Sequence, residues 1–468
     1  MAVPQGPDRP GTAVDPSGEL RRLAGDCVHC GFCLPSCPTY QLWGEEMDSP
    51  RGRIHLITQV LDGAQGTAAT GEHLDRCLGC MACVTACPSG VRYDRLIEAA
   101  RGWAEDDPAP APPGPPSSSA GTPSAGWPPL PARSRRDRAL RAAIFALFPY
   151  PRRLRAAIAP LRAAQRAGAD GLIDRSGLAS RLPAEVAAAL RLAPAAPPGR
   201  AAARRGLPER VPARGPRRAV VGMLTGCVQR VFFPQVNAAT ARVLAAEGCD
   251  VIIPAGQGCC GALSLHGGRT AEAVRFARRT IEEFERAAVD AIVVNVAGCG
   301  SAMKEYAELL ADDPGWSERA AALAGKVRDL SEYLAGLGPA APRHPLDIGV
   351  AYHDACHLAH AQRITAQPRE LLAAIPGLRL AAIPDGGTCC GSAGIYNLVQ
   401  PEPARELGQR KATAVAGTGA DLLVTGNPGC AMQITSALAA RGTPMPTAHI
   451  AEVLDASLRG LRPGALLA

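Results

Sequence analysis

Eight cysteines near the start of the chain stand in two runs with one shared spacing, C-x-x-C-x-x-C-x-x-x-C-P. The first run comprises Cys27, Cys30, Cys33 and Cys37, and the second comprises Cys77, Cys80, Cys83 and Cys87. Three thiolates two residues apart can bind three corners of one 4Fe–4S cube, and the proline turns the fourth cysteine toward the other cluster. The spacing therefore predicts two 4Fe–4S clusters with crossed ligands. One set is Cys27, Cys30, Cys33 and Cys87, and the other is Cys77, Cys80, Cys83 and Cys37.

Structural zinc is the alternative for these cysteines, because zinc sites also use C-x-x-C pairs. Each zinc ion needs only four sulfurs and the triple run is unusual for it, so the spacing favours iron–sulfur. The spacing is that of a bacterial-type ferredoxin. Between the two runs, residues 50–57 have an amphipathic pattern typical of a helix. Residues 19–106 therefore resemble the all-helical ferredoxin domain of succinate dehydrogenase and related subunits.

A second set of cysteines belongs to an internal duplication in the C-terminal half. The pattern C…CCG…C occurs at Cys227, Cys259, Cys260 and Cys299, and again about 130 residues later at Cys356, Cys389, Cys390 and Cys430. Short β-branched runs precede most of these cysteines and alternate with helical segments, which predicts a parallel α/β sheet in each repeat. The cysteines then follow strand ends, where open α/β sheets bind ligands. We expect two repeats, 218–345 and 346–461, related by a pseudo-two-fold axis, with their cysteine loops facing a shared crevice.

The duplicated pattern resembles the cysteine-rich CCG domain of heterodisulfide reductase. In that family the last element is C-x-x-C, and five cysteines hold a non-cubane iron–sulfur cluster. This chain has Ala302 and Gln433 where the fifth cysteine would stand. The eight cysteines of the repeats are therefore a candidate second metal or redox-thiol site. The sequence leaves open an iron bridged by the cysteine pair, a redox-active disulfide, and a zinc-bearing or metal-free remnant.

Histidines stand beside the cysteines of both repeats. His353, His357 and His360 surround Cys356, and His266 follows the first CCG sequence. They are interpreted either as a proton relay or ligand, or as hydrogen-bonding groups that fix the cysteine loop, and the second interpretation is favoured.

The regions around the cysteine-rich domains have their own composition. Residues 1–18 are polar and Pro-rich and are predicted to be disordered. Residues 107–132 form a Pro-rich linker, which predicts a semi-extended tether that leaves the cluster domain some freedom. Residues 133–217 form a basic helical bridge whose amphipathic helices could lie on an anionic membrane. Packing of their apolar faces against a neighbouring domain is the favoured alternative.

Composition excludes several classes of function. Seventeen cysteines suit a reducing compartment, and with no signal peptide or membrane-spanning run visible we expect a cytoplasmic protein. Contact with the inner face of the cytoplasmic membrane remains open. The net charge is +7, but the sequence contains no recognisable nucleic-acid-binding motif, so we expect no nucleic-acid partner. There is no phosphate-binding loop or strand-linked dinucleotide motif. These features indicate an electron-transfer subunit with no catalytic residue of its own.

The whole arrangement resembles the iron–sulfur subunit of glycolate oxidase. The resemblance is carried by CGFCLPSCPTY at residues 30–40, SPRGRI at 49–54, RCLGCMAC at 76–83 and FPYPRRL at 148–154. It implies FAD-binding glycolate oxidase subunits as partners, with FAD on the partner, and a quinone or another electron acceptor. The alternatives are the equivalent subunit of a lactate or glycerol-3-phosphate dehydrogenase, and a thiol–disulfide enzyme of the heterodisulfide reductase type. The expected fold is an α-helical ferredoxin-like N-terminal domain and an α/β region of two CCG repeats with parallel sheets.

Overall fold

The N-terminal part of the chain is helical, as the sequence predicts. The computed structural model describes residues 16–105, 130–131, 133–167, 182–194, 207–384 and 387–467. The helices of the first domain are α1 (Pro16–Gly25), α2 (Pro38–Trp43), α3 (Pro50–Leu61), α4 (Ala68–Asp75), α5 (Ala82–Ala86) and α6 (Tyr93–Gly102), with a 3-10 turn at Glu46–Asp48. The predicted disordered segment 1–18 is too long at its end, because α1 already begins at Pro16. Its other residues lie outside the described part of the chain.

Helix α3 shows how this domain is built. Ser49 caps it by accepting a hydrogen bond from the amide of Gly52 at 3.0 Å, and Pro50 occupies the first turn, where its missing N–H costs nothing. Ile54 and Ile57 are buried at helical spacing and belong to one core with residues of α4 and α6. This core holds the two cysteine loops between helices.

In the described part of the bridge between the domains, residues 133–167 and 182–194, there are three helices. They are α7 (Arg135–Leu147), α8 (Pro151–Arg166) and α9 (Ala184–Leu192). Ile144 and Phe145 of α7 are buried against Ile395 and Leu398 of the second repeat. The apolar face of α7 therefore packs on a neighbouring domain, as the favoured alternative predicts. None of the described helices combines the length and apolar composition needed to span a bilayer.

The first repeat contains a five-stranded sheet of order β1-β3-β2-β4-β5. Its strands are β1 (Arg210–Val211), β2 (Ala219–Leu224), β3 (Cys249–Ile252), β4 (Ala291–Val294) and β5 (Val327–Asp329). Its helices are α10 (Gln229–Phe232), α11 (Pro234–Ala246), α12 (Ala262–His266), α13 (Thr270–Ala287), α14 (Ala297–Lys304), α15 (Tyr306–Leu309), α16 (Ser317–Lys326) and α17 (Leu330–Leu337). All neighbouring strands are parallel except β1, which pairs antiparallel with β3. The sheet thus begins before the predicted boundary at residue 218.

The second repeat reproduces this topology with four parallel strands in the order β7-β6-β8-β9. Its strands are β6 (Ile348–His353), β7 (Leu378–Ala381), β8 (Leu422–Thr425) and β9 (Thr447–His449). Its helices are α18 (Ala366–Ala373), α19 (Tyr396–Val399), α20 (Pro401–Ala416), α21 (Pro428–Ala440), α22 (Ile450–Leu458) and α23 (Gly464–Leu467), and a π-helical turn spans His357–Ala361. Helix α23 lies beyond the predicted boundary at residue 461.

The two repeats share one continuous core. Helices α11 and α22 pack against each other, and Arg242 forms a 2.6 Å ion pair with Asp455 across them. Buried aliphatic residues of both sheets belong to the same cluster. The two repeats therefore pack together as one unit around a shared core.

Most of the predicted linker, residues 107–129 and 132, lies outside the described part of the chain, so the semi-extended tether stays a prediction. Leu130, at the end of the predicted linker, is buried in the core of the first domain. Arg133 forms ion pairs with Asp75 and Glu105 of that domain. A buried leucine and a mostly buried arginine therefore hold the described end of this segment on the first domain.

Candidate metal centres

Four of the predicted ligands surround a cavity at the surface of the first domain. Cys27, Cys30, Cys33 and Cys87 line it, with Cys83 at its border. Cys30 is exposed, and the other three members of the set are partly buried. The predicted crossing of the fourth cysteine is therefore geometrically feasible, since Cys87 lies beside the first run.

The other four predicted ligands surround a second, buried cavity. Cys37, Cys77, Cys80 and Cys83 line it, and all four are buried. All eight cysteines of the two sets are free thiols. Two convergent groups of four thiols with no disulfide fit the donor set of two 4Fe–4S clusters. Their role as ligands stays a prediction.

Both three-cysteine loops have left-handed backbone at the same two positions. The residues two and four positions after the first cysteine have positive φ in each loop: His29 and Gly31 in the first, Gly79 and Met81 in the second. Left-handed backbone at a non-glycine residue is uncommon and costs free energy, so it persists where the surroundings require it. The repeated strain indicates that the two loops are shaped for the same kind of ligand.

The buried site carries a polar surround that the sequence did not reveal. The Tyr93 hydroxyl donates to Cys77 Sγ at 3.5 Å, and the Gly79 amide donates to the same sulfur at 3.3 Å. Burial alone would raise the pKa of Cys77, but the charges of Arg53 and Arg101 and these hydrogen bonds lower it overall. The surround therefore stabilises negative charge at the Cys77 sulfur.

Arg53 is the most buried of these groups, and Asp48 holds it in place. The two side chains are 1% and 0% exposed and are joined by a 3.2 Å ion pair. His73 Nδ1 and Arg76 also bind Asp48, each at 3.0 Å. Sequence reasoning missed this network, because an arginine in an amphipathic helix is normally solvated. The one available signal was that Arg53 directly precedes the core residue Ile54.

In the first repeat the four cysteine thiols form one connected group at the carboxyl ends of the strands. Cys227 and Cys259 are 3.5 Å apart between sulfurs, Cys259 interacts with Cys260, and Cys260 interacts with Cys299. The Gly261 amide donates to Cys259 Sγ at 3.4 Å. Tyr306 of α15 donates from its hydroxyl to the carbonyl of Cys260 at 2.5 Å. The loop is thus fixed by hydrogen bonds, and all four thiols are buried and free.

The second repeat connects its cysteine thiols in the same way. Cys356 interacts with Cys389, Cys389 with Cys390, and Cys390 with Cys430. His353 lies beside Cys390 and Cys430. The Asn427 side chain donates to Cys430 Sγ at 3.3 Å. This site is therefore more polar than its counterpart.

The other predicted histidines have separate contacts. His360 bonds Thr85 of the first domain at 3.1 Å and the carbonyl of Gly387 at 3.0 Å, which fits the interpretation as a loop-fixing group. His357 Nδ1 lies 3.5 Å from Cys356 Sγ. Asp354 is held by Arg369 at 2.5 Å. The histidines around Cys356 therefore do not act as one group, because each of them contacts different partners.

Only glycine suits the position after each cysteine pair. Gly391 has a φ of +88°, and a Cβ there would lie 2.6 Å from the carbonyl oxygen of Ala404. We expect Gly391→Ala to destabilise the protein by roughly 1–3 kcal/mol through backbone strain. The shift would appear as a lower urea midpoint by circular dichroism.

Gly325→Ala is the matched control for this change. Gly325 lies in helix α16, and a Cβ there would meet nothing within 4 Å. Alanine favours a helix interior, so this variant should be neutral or slightly stabilising. Equal urea midpoints for the two variants would contradict the strain argument.

The first domain and both repeats meet at one junction. His266 Nδ1 of repeat 1 lies 2.8 Å from Glu98 of α6, and its ring lies 4.8 Å from the ring of His357 in repeat 2. Arg101 donates to the carbonyl of His266 at 2.8 Å. Burial and the nearby charge of Glu98 raise the pKa of Glu305 to about 8. Residues of the first domain and of both repeats therefore lie together at this junction, and the shared crevice of the cysteine loops stays a prediction.

The buried site of the first domain opens toward repeat 2. Cys80 belongs to one packed cluster with Cys356, Cys389 and Tyr396. The buried thiols of the first domain and those of the second repeat are therefore neighbours, an arrangement that the sequence could not show.

Comparison with known proteins matches each region to a family. Residues 24–91 match the 4Fe-4S dicluster domain, 136–193 the linker region of the glycolate oxidase iron-sulfur subunit, and 221–304 and 350–435 the cysteine-rich CCG domain. The probable glycolate oxidase iron-sulfur subunit of Bacillus subtilis is 36% identical over 440 residues, covering 92% of this chain and 93% of that protein. The chain belongs to the family of glycolate oxidase iron–sulfur subunits.

Other members and neighbours of this family are similar over different lengths. The glycolate oxidase iron-sulfur subunit of Escherichia coli is 36% identical over 425 residues, which is 88% of this chain and 89% of that protein. Lactate utilization protein A of Shouchella clausii is 33% identical over 241 residues, covering 50% of this chain and 98% of that protein. Iron–sulfur-binding domains, duplicated CCG domains and membership of an oxidoreductase complex are therefore features of this chain.

Proposed function

We propose that this chain is the electron-transfer subunit of a glycolate-oxidising complex whose flavin lies on partner subunits. The observation that carries the proposal is the arrangement of the eight N-terminal thiols. They form two adjacent groups, one at the surface and one buried against repeat 2. A path that leads from an exposed site to an interior one suits electron transfer between partners.

We assign the ligands in crossed sets, Cys27, Cys30, Cys33 and Cys87 for one 4Fe–4S cluster and Cys77, Cys80, Cys83 and Cys37 for the other. A bound 4Fe–4S cluster exchanges single electrons, so it can divide the electron pair of a reduced flavin. Arg53, Arg101 and Tyr93 place positive charge and a hydrogen-bond donor beside the buried thiolates. Burial keeps water away from this second set.

The surface set is the proposed contact with the flavoprotein. Val28 and Phe32 flank the exposed Cys30 and are themselves 69% and 66% exposed. Exposed apolar side chains that lie together around a site are typical of interaction surfaces. An apolar rim around an exposed thiol would bring a partner's flavin close to the first cluster.

The substrate in this proposal, glycolate, is taken from the names of the relatives. Glycolate would be oxidised to glyoxylate on an FAD-binding partner, and the electrons would leave to a quinone or another acceptor. Contact with the inner face of the cytoplasmic membrane would place the chain beside a quinone. Substrate choice then belongs to the partner, and this chain supplies the electron path.

The test is to co-express this chain with candidate FAD-binding partners and purify the complex anaerobically. We expect about eight irons and eight acid-labile sulfides per chain, with coupled signals of two reduced cubane clusters by EPR. Glycolate should reduce the bound flavin and drive acceptor turnover faster than lactate. About four irons per chain or fewer, which is one cluster at most, would overturn the assignment of two clusters.

Lactate is the second candidate substrate. Half of this chain aligns with nearly the full length of Lactate utilization protein A, so related iron–sulfur subunits carry another substrate in their names. In the same experiment, faster turnover of lactate than of glycolate would favour this candidate and leave the assigned cluster ligands unchanged.

A further inference from the structure

The internal duplication allows the two cysteine sites to be compared position by position. His353 is the last residue of β6 and lies three residues before Cys356. Its counterpart, three residues before Cys227 at the end of β2, is Leu224. Both side chains are buried, at 1% exposure each. The second repeat has therefore placed an imidazole where the first has an aliphatic side chain.

A second polar exchange accompanies this one. Asn427 stands three residues before Cys430, and Val296 stands three residues before Cys299. The Asn427 side chain is directed at Cys430 Sγ. Two polar side chains in one repeat thus face cysteines at positions that are apolar in the other.

The ring nitrogens of His353 are buried and, among the described residues, lack ordinary hydrogen-bond partners. Neither nitrogen makes a hydrogen bond within the described part of the chain, although the Cys390 thiol lies close enough to interact. An unpartnered buried polar group costs about 1–3 kcal/mol. A metal ion would satisfy a ring nitrogen here.

The geometry fits a single ion. One ring nitrogen of His353 and the sulfurs of Cys390 and Cys430 all lie within 4.8 Å of one another. Ligands at the usual zinc distances of about 2.0–2.3 Å stand about 3.3–3.8 Å apart in a tetrahedron. A small inward movement of the three side chains would therefore complete one face of such a site.

The five-cysteine cluster of other CCG domains fits less well. Gln433, at the position of the missing fifth cysteine, accepts a hydrogen bond from Asn397 at 3.1 Å and donates one to the carbonyl of Ala404 at 2.8 Å. It is fully engaged in holding α20 and α21 together. In repeat 1 the equivalent residue is Ala302, which has no donor atom.

We propose that the second repeat, and not the first, binds a single zinc ion through His353, Cys390 and Cys430. One of the two remaining thiols of the repeat, Cys356 or Cys389, supplies the fourth ligand. Imidazole and thiolate together are the ligands that zinc prefers in tetrahedral protein sites. This inference does not depend on the substrate of the complex.

Metal content per chain tests the proposal on the full-length protein. The wild type should contain about one zinc by mass spectrometry besides about eight irons. His353→Leu, which copies Leu224, and Cys430→Ser should each lose the zinc and keep the iron, which reports that the chain is folded. The matched variant Cys299→Ser, at the equivalent position of repeat 1, should keep both metals.

X-ray absorption at the zinc edge of the wild-type protein needs no variant. Its signal comes from zinc alone, so the iron of the two N-terminal clusters does not contribute. The expected first shell has sulfur at about 2.3 Å and one imidazole nitrogen at about 2.0 Å. A wild type without zinc, a shell of four sulfurs, zinc retained in His353→Leu, or zinc lost in Cys299→Ser would each overturn the proposal. Additional iron that disappears in His353→Leu would overturn zinc as the metal.

Discussion

Replacing Cys80 by serine is expected to stop electron transfer to the acceptor while the partner flavin is still reduced by glycolate. Cys80 is buried and lines the second cavity with three other thiols. Loss of outer-shell partners alone typically costs ~10–100-fold in activity, so loss of a ligand should lower acceptor turnover by more than about 100-fold. Stopped-flow reduction of the flavin and steady-state acceptor turnover in the complex measure the two steps separately.

Cys249→Ser controls for the loss of a thiol. Cys249 lies in β3, away from every cysteine set, and its sulfur is 3.7 Å from the Tyr333 hydroxyl. It is interpreted as an inert buried thiol, so turnover should remain close to that of the wild type. Normal acceptor turnover in Cys80→Ser would show that the buried set lies outside the electron path.

The second large effect is expected on stability, from Arg53→Met. The change keeps much of the side-chain volume but leaves the Asp48 carboxylate, which is 0% exposed, without its most buried cation. Removing one partner of a buried ion pair typically costs about 3–5 kcal/mol. Arg53 also donates to the carbonyls of His73 and Asp48, so three chain segments would lose a common anchor. The urea midpoint for loss of cluster absorbance in the full chain should fall accordingly.

Arg21→Met is the comparison for this prediction, because Arg21 pairs with Asp62 on the same domain. Those side chains are 46% and 64% exposed, and such surface pairs contribute about 0–1 kcal/mol. Its urea midpoint should stay near that of the wild type. If both variants had the same midpoint, the Arg53 network would have no special role in stability.

Much of the secondary structure could be predicted from local patterns in the sequence. The β-branched runs before Cys227 and Cys356 predicted β2 and β6, and the repeated topology of the two sheets matches the duplication of the cysteines. The break at residues 148–150 separates α7 from α8 as the prolines there predict. These features depend on short-range periodicity and on residues with restricted backbones, which a single sequence reports well.

Long-range contacts could not be predicted in the same way. The burial of Arg53 depends on Asp48 and on helices that approach from elsewhere in the chain. The contact between Cys80 and Cys356 joins residues 276 positions apart, and no local pattern encodes it. The Pro-rich composition of the linker predicted some freedom of the cluster domain, because composition describes the linker itself and not the domain surfaces that its ends can contact. Leu130 and Arg133 contact the first domain, and those contacts depend on the folded chain rather than on composition.

The unequal burial of the two N-terminal thiol sets bears on how the protein matures. Repeat 2 covers the set around Cys80, so a scaffold or carrier that delivers preassembled iron and sulfide can reach those thiols only before the domains dock. The set around Cys30 stays accessible afterwards. If the two sets hold clusters as proposed, the inner cluster would have to be acquired during folding, and the outer one would stay open to later delivery and repair. Oxidative damage would accordingly be reversible at the surface and would require partial unfolding or resynthesis in the interior.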